Sequence, residues 1–206
     1  LCLELLRPWP RSTVLDVGGG HAQLAIPLAA AGYDLTVLGS SLSCGERLSR
    51  LAASGAVKST FVTGDLLNLP FPDGSYDAVI SLRLLSHVHR WHQLVRELTR
   101  VARHAILIDY PSLTSVNLAV PLLFKLKKKV ERNTRSFLCF TRKEVSDAFR
   151  QNGYFISDAR PEFFLPMALH RAFNNLPFTE RSERFFEILR LTRFLGSPIL
   201  IRAEPG

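Results

Sequence analysis

The sequence predicts an α/β fold, a mostly parallel sheet with helices on both faces, and three observations carry that expectation. β-rich apolar runs alternate with stretches of helical periodicity through the first 110 residues. Turn-forming groups, Gly32-Tyr33-Asp34 and Pro72-Asp73-Gly74-Ser75, fall between the runs. The first run ends in an acid and three glycines, Asp16-Val17-Gly18-Gly19-Gly20, with a helical pattern directly behind it. At 206 residues, 47% hydrophobic and 21% charged, the chain is long enough to form one domain with a sizeable core.

In chain order the patterns predict a strand near 13–18, a helix over 22–32, a strand at 34–38, a helix at 43–54, and strands at 59–63 and 76–81. A helix over 84–102 and a strand at 104–110 follow. In that helix Leu84, Val88, Trp91, Val95, Leu98 and Val101 form a core stripe, leaving His89, His92, Arg90, Arg96, Glu97, Arg100 and Arg103 outside it. After Pro111 the pattern changes to a mixed apolar and basic stretch, an inserted lid-like segment at about 112–135 within a single domain spanning 1–206. A cleaner helix is expected over 141–152, with Thr141 as N-cap, Glu144 completing a capping box and Gly153 at the C-terminal end. Two closing strands are expected at 155–160 and 198–202, with helical material around 167–193.

The glycine loop is the most informative segment. Gly18, Gly19 and Gly20 carry no Cβ, so the backbone there turns sharply and a ligand can lie against bare N–H groups. Loops that bind nicotinamide cofactors want a small residue three after the second glycine, for close helix packing, and Gln23 holds roughly that place. A loop that tolerates bulk there and keeps Asp16 fits a ligand with a cationic amine and no pyrophosphate, as in S-adenosylmethionine.

Asp16, Gly18 and Gly20, with Ala22 in place of a final glycine, make the chain resemble the class I S-adenosylmethionine-dependent methyltransferases. The run from Gly64 through Asp65, Leu66, Pro70 and Phe71 to Asp77 and Ser81 is similar to the stretch those enzymes carry between their third and fourth strands. The stretch from Leu84 to Arg103 is similar to the helix before their fifth strand, with Ala102-Arg103-His104 standing where a Pro-Gly-Gly turn is usual. The resemblance spans roughly residues 5–155 and is nearest to small-molecule methyltransferases of the ubiquinone and menaquinone type.

It implies a Rossmann-like, seven-stranded sheet and a cofactor lying across the ends of strands one, two and four, with S-adenosylhomocysteine as product. It further implies that Asp16, with Gly18, Gly19 and Gly20, orders the loop around the methionine amine, that Asp65 contacts the adenine amino group with Leu66 beside the ring, and that Ser81 and Leu82 border the methionine part. Asp77 reads instead as a structural acid at a strand start. Where the family carries an acid for both ribose hydroxyls, this chain offers Ser40 and Ser41, a replacement costing of order 1 kcal/mol.

His87 is the candidate base, beside Trp91 at the edge of the helix stripe, with a packed histidine as the competing reading. Arg83 and Tyr110 are candidates for the acceptor side, Arg83 for an acidic group on it. Phe163, Phe164, Met167 and His170 could line the acceptor pocket or belong to the core.

Charge and cysteines narrow the partners. The net charge of +8 splits into +1 over 1–110, +6 over 111–160 and +1 over 161–206. Lys125, Lys127, Lys128, Lys129, Arg132 and Arg135 abut an apolar helical face, which points to peripheral contact with an anionic membrane or to a lid. A nucleic-acid methyltransferase is disfavoured: Ser81-Leu82-Arg83-Leu84 stands where an Asn/Asp-Pro-Pro-Tyr/Phe motif would be, and no aromatics interleave the basic residues. A non-catalytic cofactor-binding protein stays open because the ribose acid is missing. Cys2, Cys44 and Cys139 form no Cys-x-x-Cys pair and no metal-ligand spacing with the histidines, so a reduced cytoplasmic protein with no metal site is expected. The partner expected is a small, rather lipophilic acceptor, methylated at oxygen or carbon. Its identity and the oligomeric state are not legible in the sequence.

Overall fold

A computed structural model describes residues 1–19, 23–53, 59–113, 138–162 and 197–206. The order is α1 (Cys2–Leu5), β1 (Thr13–Val17), α2 (Ala25–Ala30), β2 (Asp34–Gly39), α3 (Leu42–Ala53), β3 (Ser59–Thr63), β4 (Tyr76–Ser81), a 3-10 turn (Leu85–His87), α4 (Trp91–Val101), β5 (Ala102–Tyr110), α5 (Arg142–Arg150), β6 (Tyr154–Pro161) and β7 (Ile199–Pro205). The strands form one seven-stranded sheet in the order β3-β2-β1-β4-β5-β7-β6. Every neighbouring pair from β3 to β5 is parallel, while β7 runs antiparallel to both β5 and β6.

Strand periodicity of two sends alternate side chains into two separate cores. Leu15, Val17, Val79, Ile106 and Ile108 face α4 and α5, meeting Leu94, Val95, Leu98, Val145 and Phe149. Val14, Ala78, Ile80, Ala105 and Leu107 face the other way, against Leu5, Leu6, Leu28 and Leu48. Helices therefore cover both faces, as the sequence predicts. The capping box is present: the Glu144 backbone N–H donates to Thr141 Oγ1 at 3.2 Å and the Thr141 backbone N–H donates to Glu144 Oε2 at 2.8 Å.

The structure corrects the sequence reading in several places. The short helix α1 was not expected, and α2 begins at Ala25 and ends at Ala30, shorter than 22–32. The helix expected from residue 84 begins at Trp91; before it lie the 3-10 turn and an extended Val88. Tertiary bonding accounts for the break, because the Leu138 N–H donates to the Ser86 carbonyl at 2.9 Å and docks the returning chain on that turn. Glu97, expected outside the core stripe, is buried, because residues 67–73 fold over that flank of α4.

Residues just beyond β5 are tied to those just before α5. The Phe140 N–H donates to the Pro111 carbonyl and the Leu113 N–H to the Phe140 carbonyl, both at 2.9 Å, so Ser112 and Phe140 form a parallel bridge just beyond β5. Gly20, the basic cluster from Lys125 to Arg135, Phe163 to His170, the helical material at 167–193 and the Cys44 side chain lie outside the described residues, and so does the lid-like segment beyond Leu113.

Asp77 fastens β4 to β1. It accepts hydrogen bonds from the Thr13 backbone N–H at 3.0 Å, Thr13 Oγ1 at 2.9 Å and Arg103 Nη1 at 2.7 Å, far from the glycine loop. Asp77→Ala strands the Thr13 amide, and we expect a loss of about 2 kcal/mol in urea unfolding.

Candidate functional site

The strand order turns at β1: the chain crosses from β1 to β2 and β3 on one side, then back to β4 on the other. In open α/β sheets that reversal opens a crevice at the C-terminal ends of the strands. Here the crevice receives the glycine loop, the end of β2, the turn after β3 and the turn after β4.

Gly18 has φ +83°, a conformation that favours glycine, and its N–H still donates to the Leu38 carbonyl at 2.8 Å. Gly19 is constrained by approach instead: a Cβ there would lie 1.9 Å from Asp16 Oδ2. The loop backbone thus folds directly over the Asp16 carboxyl, which is 3% exposed. Burial pushes its pKa up to about 7.

Beside the loop, a cavity of about 640 Å³ is lined by Ser40, Thr63, Gly64, Asp65, Leu66, Leu67, His87 and Val88. Its size suits a nucleoside-sized ligand. Asp65 is exposed in a tight turn, its Oδ1 accepting from the Leu67 N–H at 2.8 Å, while Leu66 packs partly against the core. Ser40 is exposed on the cavity wall; Ser41 hydrogen-bonds to Ser43 at 2.9 Å. His87 is exposed and shares the cavity with Asp65 and Ser40, so it is not packed into the core beside Trp91.

The end of β4 is more constrained. Ser81 is 1% exposed and its Oγ has no hydrogen-bond partner among the described residues. Leu82 packs partly on the second core. Arg83 has φ +57°, unusual for a non-glycine residue; its backbone N–H donates to the buried Asp109 and its guanidinium reaches Gln23 beyond the glycine loop. Burial raises the Asp109 pKa, with Arg83 opposing the shift. Tyr110 is fully buried, edge-on to Phe140, and its hydroxyl has no partner among the described residues. The cavity therefore brings Ser40, Asp65, Leu66 and His87 together, Arg83 lies by the glycine loop, and Tyr110 is a core residue.

Sequence reasoning missed the residues of α4 that grip the turn after β3. Gln93 Nε2 donates to the Leu67 carbonyl at 2.8 Å, and the Leu69 N–H donates to Glu97 Oε2 at 2.8 Å. Arg100 donates to the carbonyls of Leu69 and Phe71 and to Asp73 at 3.0, 2.8 and 2.8 Å, and pairs with Glu97. A signal existed in the spacing, since Gln93, Glu97 and Arg100 follow one another at four and three residues along one helix flank.

A glycine loop closing on a buried acid, at the reversal point of this sheet, defines an α/β domain built to hold a nucleoside-bearing cofactor. Residues 15–105 match the family described as methyltransferase domain. It is 34% identical over 97 residues to ajmaline N-methyltransferase of Rauvolfia serpentina, a match covering 45% of this chain and 33% of that protein. It is 34% identical over 85 residues to the ubiquinone biosynthesis O-methyltransferase of Rickettsia felis, covering 41% of this chain and 34% of the relative. The matched part thus spans about a third of the curated relatives' length.

In fold the chain is similar to magnesium protoporphyrin IX methyltransferase of Synechocystis PCC 6803 with bound SAH, at TM-score 0.69 and 22% identity over 100% of this chain and 80% of that one. It is also similar to the [4+2]-cyclase SpnF, at TM-score 0.63 and 17% identity over 94% of this chain and 74% of that one.

The raised pKa of Asp16 has a measurable consequence. A carboxyl whose folded pKa lies above its unfolded value favours folding when protonated, and that contribution is lost as pH rises from about 4 to about 7. Asp16→Asn mimics the protonated form. We expect a higher Tm than wild type at about pH 8 and no gain at about pH 4 in ligand-free protein.

Proposed function

We propose that this chain transfers the methyl group of S-adenosylmethionine to a small, rather lipophilic acceptor at oxygen, carbon or nitrogen. The observation that carries the proposal is the buried Asp16 beneath a bare Gly19 backbone, at the same sheet edge as a cavity lined by Asp65. The residues present fit the cofactor. A buried acid wants a cation, and the amine of the methionine part supplies one. The bare glycine backbone lets that part lie close, Asp65 serves the adenine amino group with Leu66 beside the ring, and Ser40 takes a ribose hydroxyl. Bound there, the cofactor supplies a methyl on a positively charged sulfur with a neutral leaving group.

The protein's tasks are then to hold the acceptor in line and, for an acceptor that must lose a proton, to receive it. Ser81 and Leu82 border the methionine part, and Arg83 meets an acidic group of the acceptor. The acceptor is held on the β4 and β5 side, near the bridge between Ser112 and Phe140.

A second reading, cofactor binding without methyl transfer, is favoured by the serines that stand in place of a ribose acid. Incubation of the protein with S-adenosylmethionine carrying a labelled methyl group in small-molecule, lipid and RNA extracts, followed by mass spectrometry, separates the readings. Label in a small lipophilic product supports transfer. Calorimetric binding of S-adenosylhomocysteine without any labelled product supports binding alone.

His87 shares its cavity with Asp65, and its role follows from how a variant divides its effect between affinity and rate. For His87→Gln we expect affinity for S-adenosylhomocysteine to fall about fivefold with turnover at saturation little changed, the mark of a cofactor contact. A fall in turnover at unchanged affinity would assign His87 as the base.

We also propose that the protein works in the reducing cytoplasm and meets an anionic membrane surface through the +6 region at 111–160. Co-sedimentation with anionic vesicles at low salt, lost at high salt and with neutral vesicles, is the expected result. Negligible sedimentation throughout would remove the membrane from the reading.

A further inference from the structure

Most of α4 packs against the sheet, yet one flank, Gln93, Glu97 and Arg100, turns away from it to the backbone of residues 67–73. That segment is held by main-chain groups at successive points. Gln93 takes the Leu67 carbonyl, Glu97 the Leu69 N–H, and Arg100 the carbonyls of Leu69 and Phe71 together with the Asp73 carboxylate. The Arg100 carbonyl closes the far end by accepting from the Gly74 N–H at 2.8 Å.

The segment has few means of holding itself. Beyond the Asp65 turn its internal bonding is the Phe71 N–H to the Leu69 carbonyl at 2.8 Å. Glu97 and Arg100 also hold each other, Nη2 to Oε2 at 2.7 Å and Nε to Oε1 at 3.1 Å, so the grip is a two-bond fork with fixed geometry. The Arg100 hydrogen bond keeps the Glu97 carboxyl below its ordinary pKa, so it stays an acceptor across the neutral range.

What is held is the floor of the cavity. Asp65, Leu66 and Leu67 line it, and the Gln93 bond lands on Leu67 itself. We propose that Gln93, Glu97 and Arg100 are positioning residues for the adenosine part of the cofactor: they fix where Asp65 and Leu66 stand and so set cofactor affinity without touching the ligand. The proposal rests on the reading of Asp65 as an adenosine contact. It predicts energetic coupling between the α4 flank and Asp65, which a role confined to fold stability would not produce.

The test measures S-adenosylhomocysteine and methylthioadenosine affinities by calorimetry for wild type, Gln93→Ala, Glu97→Gln, Asp65→Ala and the two double variants. Hydrogen exchange at the Leu67 and Leu69 amides in ligand-free protein is read alongside. Gln93→Ala removes one partly buried bond, and Glu97→Gln keeps the shape and an acceptor, so folding is retained in at least one of them. We expect each single variant to weaken both ligands by a similar factor, about tenfold, because both carry adenosine. In the Asp65→Ala background the same substitutions should weaken binding less than about twofold.

Affinities unchanged from wild type, or effects that add fully to that of Asp65→Ala, overturn the proposal. The exchange data separate it from the reading beneath it. Amides that lose protection while even wild type fails to bind either ligand mean that the grip exists and the adenosine reading is wrong. Amides unaffected by the variants mean that the grip itself is wrong.

Discussion

The close approach of the Gly19 backbone to the Asp16 carboxyl is the constraint around which the site is arranged. A carboxyl at the end of a central strand, with two cores below it, would ordinarily be expelled or paired. It stays because the loop that covers it has no side chain at the point of contact, and because the strand beneath is fixed from both sides. β1 is bonded to β2 along five residue pairs and to β4 along three, and Asp77 fastens its first residue. The register that buries Val14 and Leu15 in opposite cores also decides that Asp16 ends beneath the loop. A shift of one residue would turn the acid to the other face.

Around that point the sheet divides its labour. The β1 to β3 side supplies the loop, Ser40 and the Asp65 turn, while β4 and β5 supply Ser81, Arg83 and the buried Asp109. The two sides are joined by α4, which packs on the sheet with one flank and holds the cavity floor with another. The likeness to a [4+2]-cyclase as well as to methyltransferases illustrates that this architecture does not by itself specify a reaction.

Much of the fold was legible because its signals are local. β3 at 59–63 and β4 at 76–81 fall where their apolar runs begin and end, and the Thr141 to Glu144 capping box is written in four residues. The glycine loop was legible for the same reason, since acid and glycines are adjacent. What failed was decided at long range. The helix phase carried back to Leu84 could not register that Leu138, far along the chain, bonds to Ser86 and holds that stretch out of the helix. Glu97 and Arg100 read as solvent-facing because periodicity sees the sheet and not a loop folded over the flank. Tyr110, at a strand end, read as a site residue, but its side chain points into the core against Phe140. The missing ribose acid was visible as an absence, and the structure adds that Ser40 stands on the cavity wall.

The bonds that bring Pro111 to Leu113 beside Phe140, and Leu138 to Ser86, fix both ends of the connection between residues 113 and 138 on the scaffold. Lengthening a connection of that kind costs little, about 0.6 kcal/mol for each doubling, and leaves the Asp16 loop and the Asp65 turn untouched. Anchored ends of that kind allow two rates of evolutionary change: the strands that place Asp16 and Asp65 are bound by register and burial, while a connection tied at both ends tolerates changes of length.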